Sequence, residues 1–176
     1  MDDFDIPTLE TDRLWLRRFR RGDLEAYTEL CLDPEVRRGL AWSGPGSPLG
    51  ASRHFACTYG EWWLAGFGVW AVEEKATAAF LGWIGFSEPP GWPGFELCWA
   101  LHPRYWGRGF ATEGARTALA HGFEALQRGH VISLILPDNH ASQRLAGRLG
   151  MRQEGRTAET GVDLFIFGID RPQSCR

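Results

Sequence analysis

Hydrophobic and polar residues along this chain recur with two periods, one typical of strands and one typical of helices. Alternation of apolar with polar residues, or a short continuous apolar run, indicates a strand, whereas apolar residues three or four positions apart indicate a helix. Leu14 and Leu16 alternate with more polar neighbours, and residues 131–136 form a continuous apolar run, as in a sheet covered on both faces. The pattern predicts strands over residues 11–19, 67–73, 80–87, 95–101, 131–136, 151–154 and 162–169.

Four helices are predicted between these strands. Asp23 is a good N-cap for a first helix, which Pro34 is expected to end. Clusters of glycine and proline predict loops at 39–50 and 87–94. The other helices are expected over about 52–64, within 102–126 after a glycine-rich turn, and between Asn139 and Gly150.

The order of these elements predicts the fold class. It reads β-α-α-β-β-β-α-β-α-β-β, which is typical of a mixed α/β (α+β) domain with a mostly antiparallel sheet around one parallel crossover. We expect about seven strands and about four helices. The length of 176 residues favours a single domain over 1–176, with a core over about 8–170 and a tail at 171–176.

Composition and charge exclude several classes of protein. Apolar residues make up 44% of the chain and charged residues 23%, which is ordinary for a folded protein and unlike a disordered one. The net charge of −3 argues against a general nucleic-acid binder. The chain has no run of about 18 apolar residues and no apolar segment at its acidic N-terminus, so we expect neither a membrane span nor a secretory signal.

Cysteine and histidine spacing carries no metal or disulfide signature. The four cysteines, at 31, 57, 98 and 175, are scattered without a CxxC pair, which indicates reduced thiols and a cytoplasmic location. The five histidines lack the spacing of a known metal motif, so we predict no metal.

The segment from Arg104 to Thr112 is the most informative part of the chain. Gly107 and Gly109 lie between a predicted strand and a predicted helix, where the free N–H groups of the helix N-terminus suit a phosphate group. Arg104 and Arg108 would add positive charge. The alternative is a turn that binds no ligand. A nucleotide is disfavoured, because the chain lacks both Gly-Lys-Ser/Thr and the third glycine of a dinucleotide fingerprint.

Several motifs together resemble one family. The run Arg104-x-x-Gly107-x-Gly109-x-Ala111 resembles the Gln/Arg-x-x-Gly-x-Gly/Ala motif of the GNAT acetyltransferases, and YWGRGFATEGA (105–115) resembles its RimJ/RimL-like branch. The segments TDRLWLRRFRRGDLEAY and LGWIGF (81–86) resemble that branch's first strand and helix and its third strand. Asn139-x-x-Ser142 followed by Leu149-Gly150-Met151 resembles a further element of it.

The resemblance implies acetyl transfer from acetyl-CoA to a primary amine, either a protein N-terminus or a small molecule. It implies a splayed strand pair, whose free backbone groups hold pantetheine and polarise the thioester carbonyl, and a glycine loop that holds the pyrophosphate. Acetyl-CoA and an amine are then the expected partners of a monomer or homodimer, without nucleic acid or membrane. The residues expected to bind the cofactor are Trp99, Ala100, Leu101, Arg104, Trp106, Gly107, Arg108, Gly109, Phe110, Ala111, Thr112, Asn139 and Ser142.

Direct attack of an amine on the thioester needs a base rather than a covalent nucleophile, because the thioester is already activated. Glu96 is the candidate base; it lies on the strand before the glycine loop, where the family branch often has Glu. The alternative is a glutamate on the polar face of that strand. His102 is a weaker candidate for the base and is otherwise a loop residue.

The departing thiolate needs a proton. Many GNAT enzymes place a tyrosine seven residues after the motif asparagine, but Ala146 stands there in this chain. Ser142 is the candidate replacement, with a water as its rival and an ordinary helix residue as the alternative. Asn139 either caps that helix or holds the pantetheine arm.

The acceptor site is less defined by the sequence. Trp42, Trp62 and Trp63 are candidates for an aromatic lining, and specificity is expected to depend on 31–66, 87–94 and 155–164. The main alternative to an enzyme is a non-catalytic acyl-CoA-binding module of the same fold, which Ala146 favours and which Glu96 and Ser142 disfavour. An aromatic-rich carbohydrate- or peptide-binding module would explain the tryptophans but would leave the glycine loop without a role.

Overall fold

The computed structural model describes residues 5–40, 46–159 and 161–172, which form eight strands in a single sheet and five α-helices. The strand order is β1-β2-β3-β4-β5-β6-β8-β7, and every neighbouring pair among the described strands is antiparallel except β5 and β6. The strands are β1 Leu9–Glu10, β2 Leu14–Arg17, β3 Val69–Glu74, β4 Phe80–Ser87, β5 Glu96–Leu101, β6 His130–Ile135, β7 Arg152–Thr157 and β8 Leu164–Asp170.

The helices cover both faces of the sheet. Leu14, Leu16 and Ile84 lie under α4, while Ala71 and Trp83 lie on the other face with residues of α1 and α3. The two faces therefore bury separate apolar clusters, which is the source of most of the folding free energy. The helices are α1 Leu24–Leu32, α2 Pro34–Gly39, α3 Pro48–Ala65, α4 Phe110–Glu124 and α5 His140–Arg148.

The predicted fold class is confirmed, with one strand and one helix more than expected within the described residues. The differences arise at two prolines that we interpreted as breakers. Pro34 follows the end of α1 but also begins α2, because the Asp33 side chain accepts hydrogen bonds from the first free N–H groups. Pro48 likewise begins α3 behind the cap Ser47, inside the predicted loop 39–50. The additional strand, β1, is only two residues long.

The parallel pair β5 and β6 separates after a single rung. Glu96 pairs with Ile132, and the next rung of a regular ladder would join the Leu134 N–H to the Leu97 carbonyl. Instead, the Leu134 N–H donates to Glu96 Oε1 at 3.2 Å, and the Ser133 hydroxyl donates to the Leu97 carbonyl at 2.6 Å. Two side chains thus satisfy the backbone groups of the missing rung, so the strands part without leaving these groups unpaired.

The gap exposes one edge of β5. Because backbone groups alternate along a strand, those of Trp99 and Leu101 face β6, and the described length of β6 does not pair with them. The Leu101 carbonyl accepts a hydrogen bond from the Trp106 indole at 2.6 Å. The remaining groups border an open groove.

Among the described residues, no helix is long and apolar enough to cross a membrane. The same residues contain no group of three or more His, Cys, Asp or Glu side chains arranged to hold a metal ion.

Candidate active site

The glycine loop has the backbone of an anion site. Gly107 and Gly109 adopt φ angles of +74° and +84°, a conformation that side chains disfavour, and Gly109 is the N-cap of α4. Gly109 offers no side-chain cap, so the first N–H groups of α4 are available to a ligand. A Cβ at Gly107 would meet no atom within 4 Å, which shows that space lies open above the loop.

A groove of about 1120 Å³ runs from this loop to the gap beside β5. Its size is that of a site for a large organic cofactor. Most of the residues that the sequence assigned to cofactor binding come together here. Those that line the groove are Trp99, Ala100, Leu101, Trp106, Gly107, Gly109, Phe110, Ala111, Thr112, Asn139 and Ser142.

Arg104 and Arg108, which the sequence also assigned to cofactor binding, are not among the residues that line this groove. Arg104 pairs with Glu29 at 3.4 Å and Arg108 with Glu74 at 3.1 Å, so nearby carboxylates already balance both charges. Sequence position alone does not show such pairs, because each partner is distant along the chain.

Four other arginines, which the sequence analysis did not assign to the cofactor, line the groove: Arg13, Arg38, Arg116 and Arg148. Arg13 and Arg38 form ion pairs with Glu113 and Glu35, whereas Arg116 and Arg148 have no carboxylate partner among the described residues. Arg148 Nε donates to Thr112 Oγ1 at 3.2 Å, and Arg116 Nη2 donates to the Arg148 carbonyl at 3.5 Å. Arg116 lies four residues beyond Thr112 on α4, one helical turn along, and that spacing was the available signal.

A second, more enclosed pocket of about 220 Å³ meets the groove. Its walls come from α3, β3, β4, β5, β6 and the loop before β5. The two cavities share a small set of lining residues, which marks their junction. The shared residues are Gly39, Leu40, Trp99, Asn139 and Ser142.

Glu96 lies in this pocket and is only 6% exposed, which excludes the alternative of a polar residue on an open strand face. The Trp92 indole donates to its Oε2 at 2.7 Å, and the Leu134 N–H binds the other oxygen. Burial raises the pKa of Glu96 to about 7, and these two hydrogen bonds oppose that rise. The carboxyl can therefore exchange a proton near neutral pH, as a general base must.

Ser142 lies at the junction of the two cavities. Its Oγ accepts a hydrogen bond from the Trp99 indole at 3.2 Å, and its N–H donates to Asn139 Oδ1 at 3.0 Å. Asn139 Nδ2 donates to the Gly39 carbonyl at 3.0 Å, which ties the end of α2 to the start of α5. Asn139 thus caps α5 and also borders both cavities; its contact with the pantetheine arm stays a prediction.

Two of the three tryptophans expected at an acceptor site, Trp62 and Trp63, line neither cavity. Trp62 is 1% exposed; it packs against Trp70 and donates to the Val69 carbonyl. Trp63 is 73% exposed and lines neither cavity, and Trp42 lies outside the described residues. Trp62 and Trp63 are near the end of α3, whereas the pocket is lined by residues earlier in that helix. The aromatic lining comes from Trp83, Trp92 and Trp99.

The sequence analysis did not identify one face of α3 as part of the site. His54, Cys57 and Glu61 recur at helical spacing and line the pocket, a pattern visible in the sequence as polar residues on a single helix face. Burial raises the pKa of Glu61 and lowers that of His54. His102 is not part of either cavity; its ring accepts a hydrogen bond from Arg104 N in the turn after β5.

Comparison with known proteins identifies the family to which this chain belongs. The profile described as "Acetyltransferase (GNAT) domain" matches residues 13–152, more than half of the chain. The uncharacterized N-acetyltransferase YoaA of Bacillus subtilis is 29% identical over 178 aligned residues, which cover 96% of this chain and 99% of that protein.

Solved structures show the same fold. An acetyltransferase from Agrobacterium tumefaciens superposes with a TM-score of 0.84 at 27% identity, covering 95% of this chain and 96% of that one. Mycobacterium smegmatis RimJ, solved with CoA-disulfide, has a TM-score of 0.77 at 16% identity, covering 93% of this chain and 84% of that one, and this likeness concerns the fold. The chain belongs to the GNAT acetyltransferase family and is an N-acetyltransferase of that type.

Proposed function

We propose that this protein moves an acetyl group from acetyl-CoA to a primary amine by direct attack in a ternary complex. The observation that carries the proposal is the junction of two unlike cavities. A long groove with free backbone N–H groups and arginines meets a small pocket that contains a buried carboxyl of pKa about 7. The groove suits a phosphorylated thioester, and the pocket suits an amine that must lose a proton.

The groove offers a partner for each part of CoA. The N–H groups at the start of α4 would hold the pyrophosphate, and the unpaired edge of β5 at Trp99 and Leu101 would hold the pantetheine arm. Arg116 and Arg148 would hold the 3′-phosphate, since they are the groove arginines that no described carboxylate already pairs with. A RimJ of the same fold was solved in complex with CoA-disulfide, which supports CoA as the ligand.

Glu96 would take the proton of the attacking amine, directly or through a water. An α-amine has a pKa of about 7.7–8, and a base of pKa about 7 is matched to it. The neutral nitrogen attacks the thioester carbonyl, an oxyanion forms, and a backbone N–H at the β5 edge stabilises that charge. No covalent enzyme intermediate is required.

The tetrahedral intermediate then collapses. The new C–N bond remains, the C–S bond breaks, and the electron pair leaves with sulfur as a thiolate. Ser142 would give its hydroxyl proton to this thiolate, because its oxygen accepts from Trp99 while its own hydrogen remains available for donation. The nitrogen of the intermediate loses its second proton at the same stage, and through a water this proton would restore the Ser142 hydroxyl. The products are an acetylated amine and CoA.

A non-catalytic acyl-CoA-binding module is the second candidate. Ala146 favours it, because this residue is fully buried beside Leu145 and offers no hydroxyl to the thiolate. The buried Glu96 opposes it, because a binding module has no use for a costly desolvated acid beside the groove. Release of free thiol from acetyl-CoA in the presence of an amine separates the two candidates.

We also infer a reducing, cytoplasmic setting. Cys31, Cys57 and Cys98 are free among the described residues. Burial raises the pKa of Cys31 to about 11 and keeps Cys98 protonated as well, so both thiols are unreactive.

The proposed function is tested first by thermal unfolding with acetyl-CoA, using NAD and ATP as controls. Ligand at about 100 times its Kd adds about 2.7 kcal/mol of stability, which is roughly 5–10 °C for a chain of this size. We expect a shift with acetyl-CoA alone, followed by amine-dependent thiol release. A shift only with NAD or ATP would contradict the assignment of the groove.

A further inference from the structure

The enclosed pocket is lined by acids and indole rings. Glu61 from α3 and Glu96 from β5 both line it, and Trp83, Trp92 and Trp99 supply aromatic walls. Burial raises the pKa of the Cys98 thiol, which lines the same pocket, and the charges of Glu96 and Glu61 raise it further. Carboxylates and indole faces each attract cations.

Among the described residues that line the pocket, no positive side chain balances these acids, since neither lysine nor arginine occurs there. His54 stays neutral near pH 7, because burial lowers its pKa; its Nδ1 is also hydrogen-bonded to the Tyr27 hydroxyl. The pocket therefore favours a positively charged ligand.

Glu61 and Glu96 differ in their partners. Glu96 is held by Trp92 and by the Leu134 N–H, as a residue placed for proton transfer. Among the described residues, burial is the sole influence on the pKa of Glu61, with no opposing hydrogen bond or cation. A desolvated carboxyl without a partner is costly to ionise, and a bound ammonium group would remove that cost.

We propose that the acceptor carries two positive charges: a primary amine that reacts beside Glu96 and a second cationic group that Glu61 binds. This inference rests on the proposed function and names the substrate class of the same site. It favours a small aliphatic diamine or a related dication, because a second ammonium within the 220 Å³ pocket finds its counter-charge at Glu61. An acceptor with a distal carboxylate would face repulsion there.

The test compares three acceptors of one length that differ in distal charge: 1,4-diaminobutane, butylamine and 4-aminobutyrate. Because the spacing of the two subsites is unknown, diamines of two to six carbons complete the series. We expect kcat/KM to be at least tenfold higher for the best diamine than for the monoamine of the same length. The amino acid is expected to be the poorest of the three.

Two variants identify the group responsible. Glu61→Gln should lower kcat/KM for the diamine about tenfold or more while leaving the monoamine within about twofold, since a removed charge pair affects only the charged partner. Glu25→Gln, an exposed glutamate of α1 outside both cavities, is the matched control and should change neither value.

Specific outcomes overturn the inference. Equal use of the three amines, no turnover of any of them, or an equal loss for diamine and monoamine in Glu61→Gln would each contradict a second cation subsite. Those results leave acetyl-CoA binding intact. Loss of the acetyl-CoA thermal shift, by contrast, would contradict the proposed function itself.

Discussion

The groove and the pocket are built in different ways. The glycine loop, the free helix N–H groups and the unpaired strand edge of the groove lie on one continuous segment, from Trp99 on β5 to Thr112 on α4. The pocket takes side chains from several regions far apart along the chain, of which Glu61, Glu96 and Ser133 are examples. A local backbone site leaves a sequence motif, whereas a site of converging side chains does not.

The difference also separates binding from chemistry. The groove is open and its N–H groups are ready for a phosphate without any change of protonation. The pocket is enclosed and holds a carboxyl whose pKa of about 7 depends on burial. Substitutions in the two regions should therefore affect different kinetic constants, and this expectation can be tested region by region.

The largest expected effect lies in the pocket. Glu96→Gln removes the base and should lower kcat at pH 8 about 10²–10³-fold while acetyl-CoA affinity stays within about twofold. Steady-state rates and a binding titration measure both. Ser133→Ala is the matched control, because it removes the other side chain that bridges the splayed strands but no titratable group. Equal losses in both variants would instead indicate a structural role for Glu96.

The next effect lies in the groove. Gly109→Val forces a branched side chain into a φ of +84° and should weaken acetyl-CoA binding at least about tenfold. Calorimetric titration gives the Kd. Gly60→Val is the control, because Gly60 lies in α3 with open space around its Cβ position. Unchanged affinity in Gly109→Val would refute the role of the loop.

Ser142→Ala tests the junction of the two regions. Loss of one hydroxyl donor should slow the chemical step about two- to tenfold, as expected for a neutral hydrogen bond, without weakening the Asn139 cap. Single-turnover rates measure the step. A rate equal to that of the native protein would assign thiolate protonation to a water.

The smallest effect is at the far end of the groove. Arg116→Gln with Arg148→Gln should weaken binding of CoA about two- to tenfold, because exposed charge pairs contribute little each. Binding of 3′-dephospho-CoA should not change. The control pair Arg104→Gln with Arg108→Gln should have no such selectivity, since those side chains pair with Glu29 and Glu74. If the double substitution weakened the binding of CoA and of 3′-dephospho-CoA equally, these arginines would not be the site of the 3′-phosphate.

The sequence predicted the fold class, and the position of the glycine loop between β5 and α4, for a physical reason. Periodic apolar residues define strands and helices, and the positive φ angles of Gly107 and Gly109 are conformations that glycine adopts readily. The helix boundaries predicted at Pro34 and Pro48 were wrong, because each proline is the first residue of a helix rather than only a breaker.

The pocket was predicted only in part. Glu96 was identified from its strand position, but its burial depends on how β5 and β6 part, which no local pattern reveals. Trp62 and Trp63 were chosen by residue type, and packing placed one in the core and the other on the surface. The sequence analysis missed Glu61, because its proposed role depends on sharing a pocket with Glu96, a residue 35 positions later.

The pH dependence of kcat/KM in the native protein and in Glu96→Gln tests the central claim most directly. A base acts only when deprotonated, so the native activity should rise as pH increases through about 7 and then level off, apart from the separate titration of the amine. Glu96→Gln should retain the titration of the amine and lose the rise near 7. A rise near 7 that persists in Glu96→Gln would contradict the account.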